Sequence, residues 1–349
     1  MRCIVAARCY TSSMRVIVNP RHVGHVPPHE VDNGAPVPPW EVPGRLDAIR
    51  TAIAARPGFV FEDAPALAED AVTSLHDPGY VAYLRETSGE LRANAAVYPS
   101  VFPFGPSPQA RGPRASRGVY CFDTFTPITT GTFDAALGGA SAALRAAELV
   151  ADGSERMVYV LTRPPGHHAE KAQCGGYSYL NNAALAADRL SKRGTVAVLD
   201  LDVHHGNGTQ HLFYDRADVL TVSIHGDPAG LFPYFSGFED ETGTGPGLGF
   251  NRNLPLPSGA GVRKYRPAME MALEAIGKFR PAFLVVALGT DTHEKDPIGG
   301  FRLPTEEFGR MGGALRQLTL PTVIVQEGGY NRDVIGECVA GFLGGLEGG

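Results

Sequence analysis

Four times this chain runs from a short, β-branched apolar segment straight into a cluster of histidines, acids and glycines. The segment Met157 to Leu161 leads into RPPGHHAE (163–170), 195–201 into DLDVHHGNG (200–208), 283–288 into GTDTHEKDP (289–297), and 322–326 into EGGY (327–330). Longer amphipathic or Ala-rich stretches separate these runs, and such alternation marks βα units around a mainly parallel sheet. Open sheets of this kind bind ligands at the carboxyl ends of their strands. One sheet would therefore carry all four clusters to a common rim. Strands are expected over 15–19, 157–161, 195–201, 219–224, 283–288 and 322–326, and helices over 44–55, 77–85, 133–151, 179–192, 263–279, 305–318 and 332–343. Pro304 before Thr305, Glu306 and Glu307 is a helix start, because proline suits the first turn and acids favour its positive end.

Taken singly, an aspartate at a strand end caps a turn and a lone histidine is a hydrogen-bonded core residue. Together the clusters favour a metal site. Alternation places Asp200, Asp202 and His204 on one face if the strand continues. Asp202, His204 and Asp291 would supply three O/N ligands with a fourth position open, the arrangement of catalytic rather than structural zinc, which lowers the pKa of water from about 15.7 to about 7. The same mixed set accepts Fe²⁺. His167 and His168 would serve as general base and acid, and Tyr330 would donate its phenol proton to a developing oxyanion. The chemistry is hydrolysis of an amide through a tetrahedral intermediate. A binuclear, arginase-like centre would need a further carboxylate after each first ligand. Here His205 follows His204, and no second aspartate stands two residues after Asp291, so one metal is expected.

The remaining composition narrows the class. With 31 Lys and Arg against 37 Asp and Glu, the net charge of −6 lacks the basic surplus of a general nucleic-acid binder. No apolar run approaches the roughly 18 residues of a membrane helix. The five cysteines are scattered without a CxxC, which fits a reducing cytoplasm better than a disulfide framework or thiolate site. Residues 1–13 read as a disordered extension before the strand that opens at Met14, and 14–349 as a single domain. Within it, 88–119 holds five prolines and no convincing periodicity. Its aromatic middle, Val97 to Phe104, favours an interface or a wall of the site over a plain linker.

With CGGYSYLNN (174–182), these motifs resemble the zinc-dependent histone deacetylase family, and within it the bacterial acetylpolyamine amidohydrolases. The closer likeness rests on MRVIV (14–18), VPPWE (37–41), TPIT (126–129) with Gly131 and Thr132, HGDP (225–228) and DTHEKDPI (291–298). The resemblance implies the three-layer α/β/α arginase/deacetylase fold and hydrolysis of the acetyl amide of a small acetylated amine. It implies zinc on Asp202, His204 and Asp291, with His168 as general base and acid and His167 as its electrostatic partner. Asp200 would hydrogen-bond His167, and Asn207 would orient His168. Tyr177 and Phe232 would flank a narrow channel, Ile298 would line its mouth, and the Gly176 carbonyl would accept the substrate amide N–H. Potassium would lie beneath the zinc, held by Asp200, Asp202, His204, Ser223 and Ile224. Glu30 stands where the polyamine enzymes would meet a distal ammonium; a solvated surface glutamate is the plain alternative. The 88–119 insert would build a homodimer.

Two departures keep other substrates open. Residues 91–119 carry four arginines and no acid, Phe125 stands where an acid would be expected, and Asp123 is out of phase. A broad-specificity or protein acetyl-lysine deacetylase is the alternative enzyme, and a non-catalytic acyl-ligand binding protein the alternative from another class.

Overall fold

Strands covered on both faces can be apolar at nearly every position, and four such strands form the centre of this protein. A computed structural model describes residues 13–103 and 112–348. The expected extension over 1–13 lies, apart from Ser13, outside the described residues, as do Phe104, Pro106, Pro108 and Arg111 of the insert. Eight parallel strands run in the order Asn251–Leu256, Val219–Gly226, Val196–Asp200, Phe283–Leu288, Thr322–Gln326, Met157–Leu161, Met14–Val18, Phe59–Asp63. Side chains alternate across the sheet. Val158, Val160, Val198, Val285 and Val323 enter one core, and Tyr159, Leu161, Leu199, Leu284, Val286 and Ile324 the other. Helices Pro78–Glu90, Thr132–Ala151 and Asn182–Ser191 cover the first face. Helices Gly44–Ala54, Val262–Phe279, Thr305–Arg316 and Ile335–Glu347 cover the second. The architecture is the expected three-layer α/β/α sandwich.

Several expectations need correction. Phe59–Asp63 and Asn251–Leu256 are additional strands. Both lie at the sheet edges, where half-exposed positions dilute the apolar run and Pro255 is tolerated. The helix expected over 179–192 starts at Asn182, because the Asn181 side chain caps it, accepting the Ala184 N–H at 2.9 Å. The helix expected to end at 85 continues to Glu90, where Ser88 is held by the Thr129 and Thr130 carbonyls at 2.7 and 2.8 Å. The insert is not structureless. Its first residues belong to that helix, Ala96–Val97 pairs with Ile128–Thr129, and Pro113–Val119 is helical. Short and proline-flanked, these elements leave no periodicity to read.

The strand through Val198 stops at Asp200 rather than running on to His204. The Asp202 N–H donates to Asp200 Oδ1 at 3.1 Å, and the His204 N–H to Asp202 Oδ1 at 2.9 Å. Aspartates satisfying backbone donors two residues on turn the chain instead of extending it. This double turn, not strand alternation, brings the three side chains together.

Candidate active site

The turn after Asp200 meets the loops after the next three strands on one side of it, Phe283–Leu288, Thr322–Gln326 and Met157–Leu161. Asp291 Oδ1 accepts the Val203 N–H at 2.9 Å, and Asp202 Oδ2 accepts the Gly328 N–H at 2.8 Å. Ligand atoms of Asp202, His204 and Asp291 lie within 4.8 Å of one another, all three residues buried. The space is shaped for them. A Cβ on Gly328 would fall 2.2 Å from Asp291 Oδ2, and one on Gly289 2.4 Å from Asp202 Oδ2.

This donor set fits a cation. Asp291 Oδ2 is buried without a hydrogen bond, although His204 Nδ1 lies 3.3 Å away. Burial opposes ionisation of both aspartates; Asp202, facing His167 and His204, stays charged, whereas Asp291 is pushed up to about 8 by burial and by Asp202. Two carboxylates that cannot both ionise at neutral pH are relieved by a positive ion. Among the described residues this is the one such group of three. His205 turns instead to Gln210 (3.1 Å) and His293 to Thr305 (3.0 Å).

The paired histidines occupy opposite electrostatic settings although their ring centres are 3.9 Å apart. Burial alone would lower the pKa of His167, but Asp200, whose Oδ2 lies 2.9 Å from Nδ1, and Asp202 raise it to about 10. His168 is driven well below its ordinary value by burial and by the neighbouring positive charges of His167 and His204. Its Nδ1 meets Asn207 Oδ1 at 2.8 Å. Glu327 fixes the backbone beneath both rings, accepting the Gly166 and His167 N–H groups at 2.6 and 3.1 Å.

Tyr330 is held from two sides. Its N–H donates to Asp296 Oδ2 at 2.7 Å, and the Arg45 guanidinium stacks 4.7 Å from its ring centre. Arg45 also donates to the Gly329 and Glu327 carbonyls, both at 2.6 Å, and pairs with Glu41 at 2.8 Å. Glu41 in turn accepts from Arg163 at 2.6 Å. Burial opposes the charge on Glu41, and the two guanidinium groups restore it. None of Glu41, Arg45, Asp296 or Glu327 was given a role from the sequence. Glu41, Asp296 and Glu327 sit inside the motifs VPPWE, DTHEKDPI and EGGY, whereas Arg45 lies four residues beyond the first of these.

Above this floor a cavity of about 240 Å³ opens to solvent. Tyr177, Phe232, Ile298, Gly176 and Glu30 all line it. The Phe232 ring stands perpendicular to His168 at 5.0 Å, backed by Phe122 at 6.2 Å. Gly176 and Tyr177 both adopt positive φ, 53° and 65°. Two bonds stabilise that strained turn: the Gly176 N–H donates to Asp123 Oδ2, and the Tyr177 N–H to Thr126 Oγ1 at 2.9 Å. Asp123 is thus a buried brace under the channel wall rather than an entrance acid. Glu30 is no surface glutamate. It is 2% exposed, accepts from the Trp40 N–H at 2.8 Å and the Tyr177 hydroxyl at 2.9 Å, and burial raises its carboxyl to about 7. Ser223 pairs in register with Asp200, next to Ile224, and its hydroxyl meets His225 Nδ1 at 2.7 Å.

The chain is similar to known proteins in sequence and in fold. Residues 39–346 match the histone deacetylase domain family. Over 343 residues the chain is 39% identical to acetylpolyamine amidohydrolase 2 of Pseudomonas aeruginosa, covering 96% of this chain and 99% of that protein. Over 345 residues it is 40% identical to the acetylpolyamine amidohydrolase of Mycoplana ramosa, covering 96% and 100%. The crystal structure of an acetylpolyamine aminohydrolase from Burkholderia pseudomallei superposes with a TM-score of 0.91 at 38% identity, over 96% of this chain and 98% of that one. The family implies a catalytic metal, for which Asp202, His204 and Asp291 are the fitting group, and the chain belongs to the histone deacetylase family of hydrolases.

Proposed function

We propose that this protein hydrolyses the acetyl amide of acetylated polyamines, releasing acetate and the free amine. One observation carries the reading: a buried Asp–His–Asp group, a histidine of low basicity and a buried tyrosine converge at the floor of a narrow aromatic channel with a buried carboxylate in its wall. The likeness over nearly the whole chain to acetylpolyamine amidohydrolases supports the substrate class.

Asp202, His204 and Asp291 would hold Zn²⁺, the O/N/O set suiting Fe²⁺ as well. When bound, the metal supplies Lewis-acid polarisation of the acetyl carbonyl and of the attacking water. His168, oriented by Asn207 and neutral at physiological pH, takes the proton from the water and passes it to the departing nitrogen. His167, kept protonated by Asp200, contributes positive charge beside the reacting carbonyl. Tyr330 donates its phenol hydrogen to the oxyanion as it forms, an interaction worth about 3–4 kcal/mol in comparable sites. Gly176 offers its carbonyl to the substrate amide N–H, and Tyr177, Phe232 and Ile298 exclude water around the alkyl chain of the amine. Glu30 reads the distal ammonium. Asp200, Asp202, His204, Ser223 and Ile224 would hold K⁺ beneath this floor.

Residues 14–349 act as one catalytic domain in this reading, in a reducing cytoplasm, as a homodimer joined through the 88–119 insert. Val101 and Phe102 of the insert and Phe235 near the cavity are exposed, Phe235 by 92%, as a covered apolar face requires. Among the described residues no helix is long and apolar enough to cross a membrane.

The arginines of 91–119 favour one second reading, a deacetylase of acetyl-lysine in proteins. A panel of acetylputrescine, acetylspermidine, acetylcadaverine and an acetyl-lysine peptide, assayed on the metal-loaded protein, separates the two. The peptide as best substrate would replace the polyamine assignment, and no turnover of any acetylamide would leave only acyl-ligand binding.

A further inference from the structure

The motif RPPGHHAE contributes two histidines to the floor, but its last residue, Glu170, has no part in the chemistry above. It lies behind His168. Asn207 Nδ2 donates to Glu170 Oε1 at 2.6 Å, while Asn207 Oδ1 faces His168 Nδ1 at 2.8 Å. His211 Nδ1 meets the same Glu170 oxygen at 2.8 Å. Asn207 and His211 are four residues apart on the helix Asn207–Phe213, so they present one face to Glu170. The backbone of Glu170 is itself pinned. Its N–H donates to the Gln173 carbonyl at 2.9 Å, and its carbonyl meets His76 Nδ1 at 2.9 Å. An unbroken line of hydrogen bonds thus runs from buried His168 through Asn207 and Glu170 to His211, which is 48% exposed on its side chain.

The amide is the critical link. An asparagine presents an acceptor at one end and donors at the other, and either end can face an imidazole. With Oδ1 toward His168, Nδ1 carries the hydrogen and Nε2 is left free as a base. With the amide reversed, its N–H would donate to Nδ1 and the hydrogen would move to Nε2, blocking the base. Reversal would also place Oδ1 against the Glu170 carboxylate at 2.6 Å, acceptor against acceptor. Hydrogen bonds to charged groups are worth about 1.5–3 kcal/mol, so the carboxylate biases the flip by about 10–150-fold. We infer that Glu170, held by His211, is a positioning residue that fixes the Asn207 amide and thereby the productive tautomer of His168.

This inference rests on His168 acting as base through Nε2, but its first readout is independent of turnover. In the zinc-loaded enzyme with ¹⁵N-labelled histidine, the His168 signals, assigned by their loss in His168→Gln, should report a hydrogen on Nδ1. In Glu170→Ala, the Nε2–H tautomer should become comparably populated. Then kcat should fall by about twofold with KM unchanged, and His211→Ala should move both readouts the same way by less. In the Asn207→Asp background, where the carboxylate accepts from Nδ1–H whichever way it turns, Glu170→Ala should cost nothing. An unchanged tautomer in Glu170→Ala, or an equal loss of kcat in both backgrounds, overturns the assignment. A changed tautomer without loss of kcat upholds the positioning and counts instead against His168 as the base.

Discussion

Glu30→Gln separates the two energetic roles of one buried carboxylate. Its Oε2 accepts from the Tyr177 hydroxyl at 2.9 Å, so the charge stands in the channel wall. An ammonium threading past that ring comes within about 5–7 Å, worth roughly 2–3 kcal/mol at an effective dielectric near 20. That predicts a loss of about 30–150-fold in kcat/KM for acetylputrescine and little change for a neutral acetyl-lysine reporter. The pH profile sharpens this. Burial raises the Glu30 carboxyl to about 7, so it is neutral below and charged above that value. In the wild type, kcat/KM for the cationic substrate should carry a limb rising through about pH 7 that the neutral reporter lacks and Glu30→Gln abolishes. Stability moves the opposite way. The unfolded chain ionises this group near its ordinary value, so the folded state loses stability as pH rises between that value and about 7. The full cost above pH 7 is at most about 3 kcal/mol. Glu30→Gln should therefore melt higher than wild type at pH 8, with the gap closing toward pH 5. Equal losses of kcat/KM on both substrates would refute the electrostatic role.

Two further perturbations probe the floor of the site. Glu41→Gln leaves two buried guanidinium groups facing an uncharged amide; breaking a buried ionic group of this kind costs about 3–5 kcal/mol. A large drop in the denaturant midpoint is expected, with Tyr330 and its loop loosened through Arg45. Gly328→Ala places a Cβ 2.2 Å from Asp291 Oδ2 and 2.5 Å from Asp202 Oδ2. It should weaken zinc binding in a chelator-competition titration by tenfold or more, on the order of 1.4 kcal/mol, and unchanged affinity would show that the two aspartates do not hold the metal.

What the sequence displayed was whatever repeats locally. Val196–Asp200 and Thr322–Gln326 are buried throughout, so composition alone marks them, and the polar residues that follow are the ones that meet. Edge strands such as Asn251–Leu256 escape because neighbours on one side only leave a mixed pattern. Long-range pairing is invisible for a different reason. Glu41 and Arg163 are 122 residues apart, and Asp123 and Gly176 are 53 apart, and no periodicity links one end of such a bond to the other. The burial of Glu30 and of Asp123 is hidden for the same reason. Each is an acid whose burial depends on a partner from another part of the chain.

The two adjacent histidines show why environment rather than residue type assigns the roles. His167 touches a carboxylate directly through Asp200 and is held charged. His168 is buried, touches the neutral amide of Asn207 and faces the positive charge of His167, so it is held neutral and free to take a proton. A carboxylate in place of Asn207 would stabilise the protonated form of His168 by direct attraction, with no need of an orienting partner. The amide offers less electrostatic pull and introduces an ambiguity of direction. Glu170 answers both at one remove: its charge lies beyond the amide, where it strengthens the donor end and excludes the reversed orientation. The negative charge serving His168 has thus been moved one residue outward along the hydrogen-bonded line, toward a surface histidine.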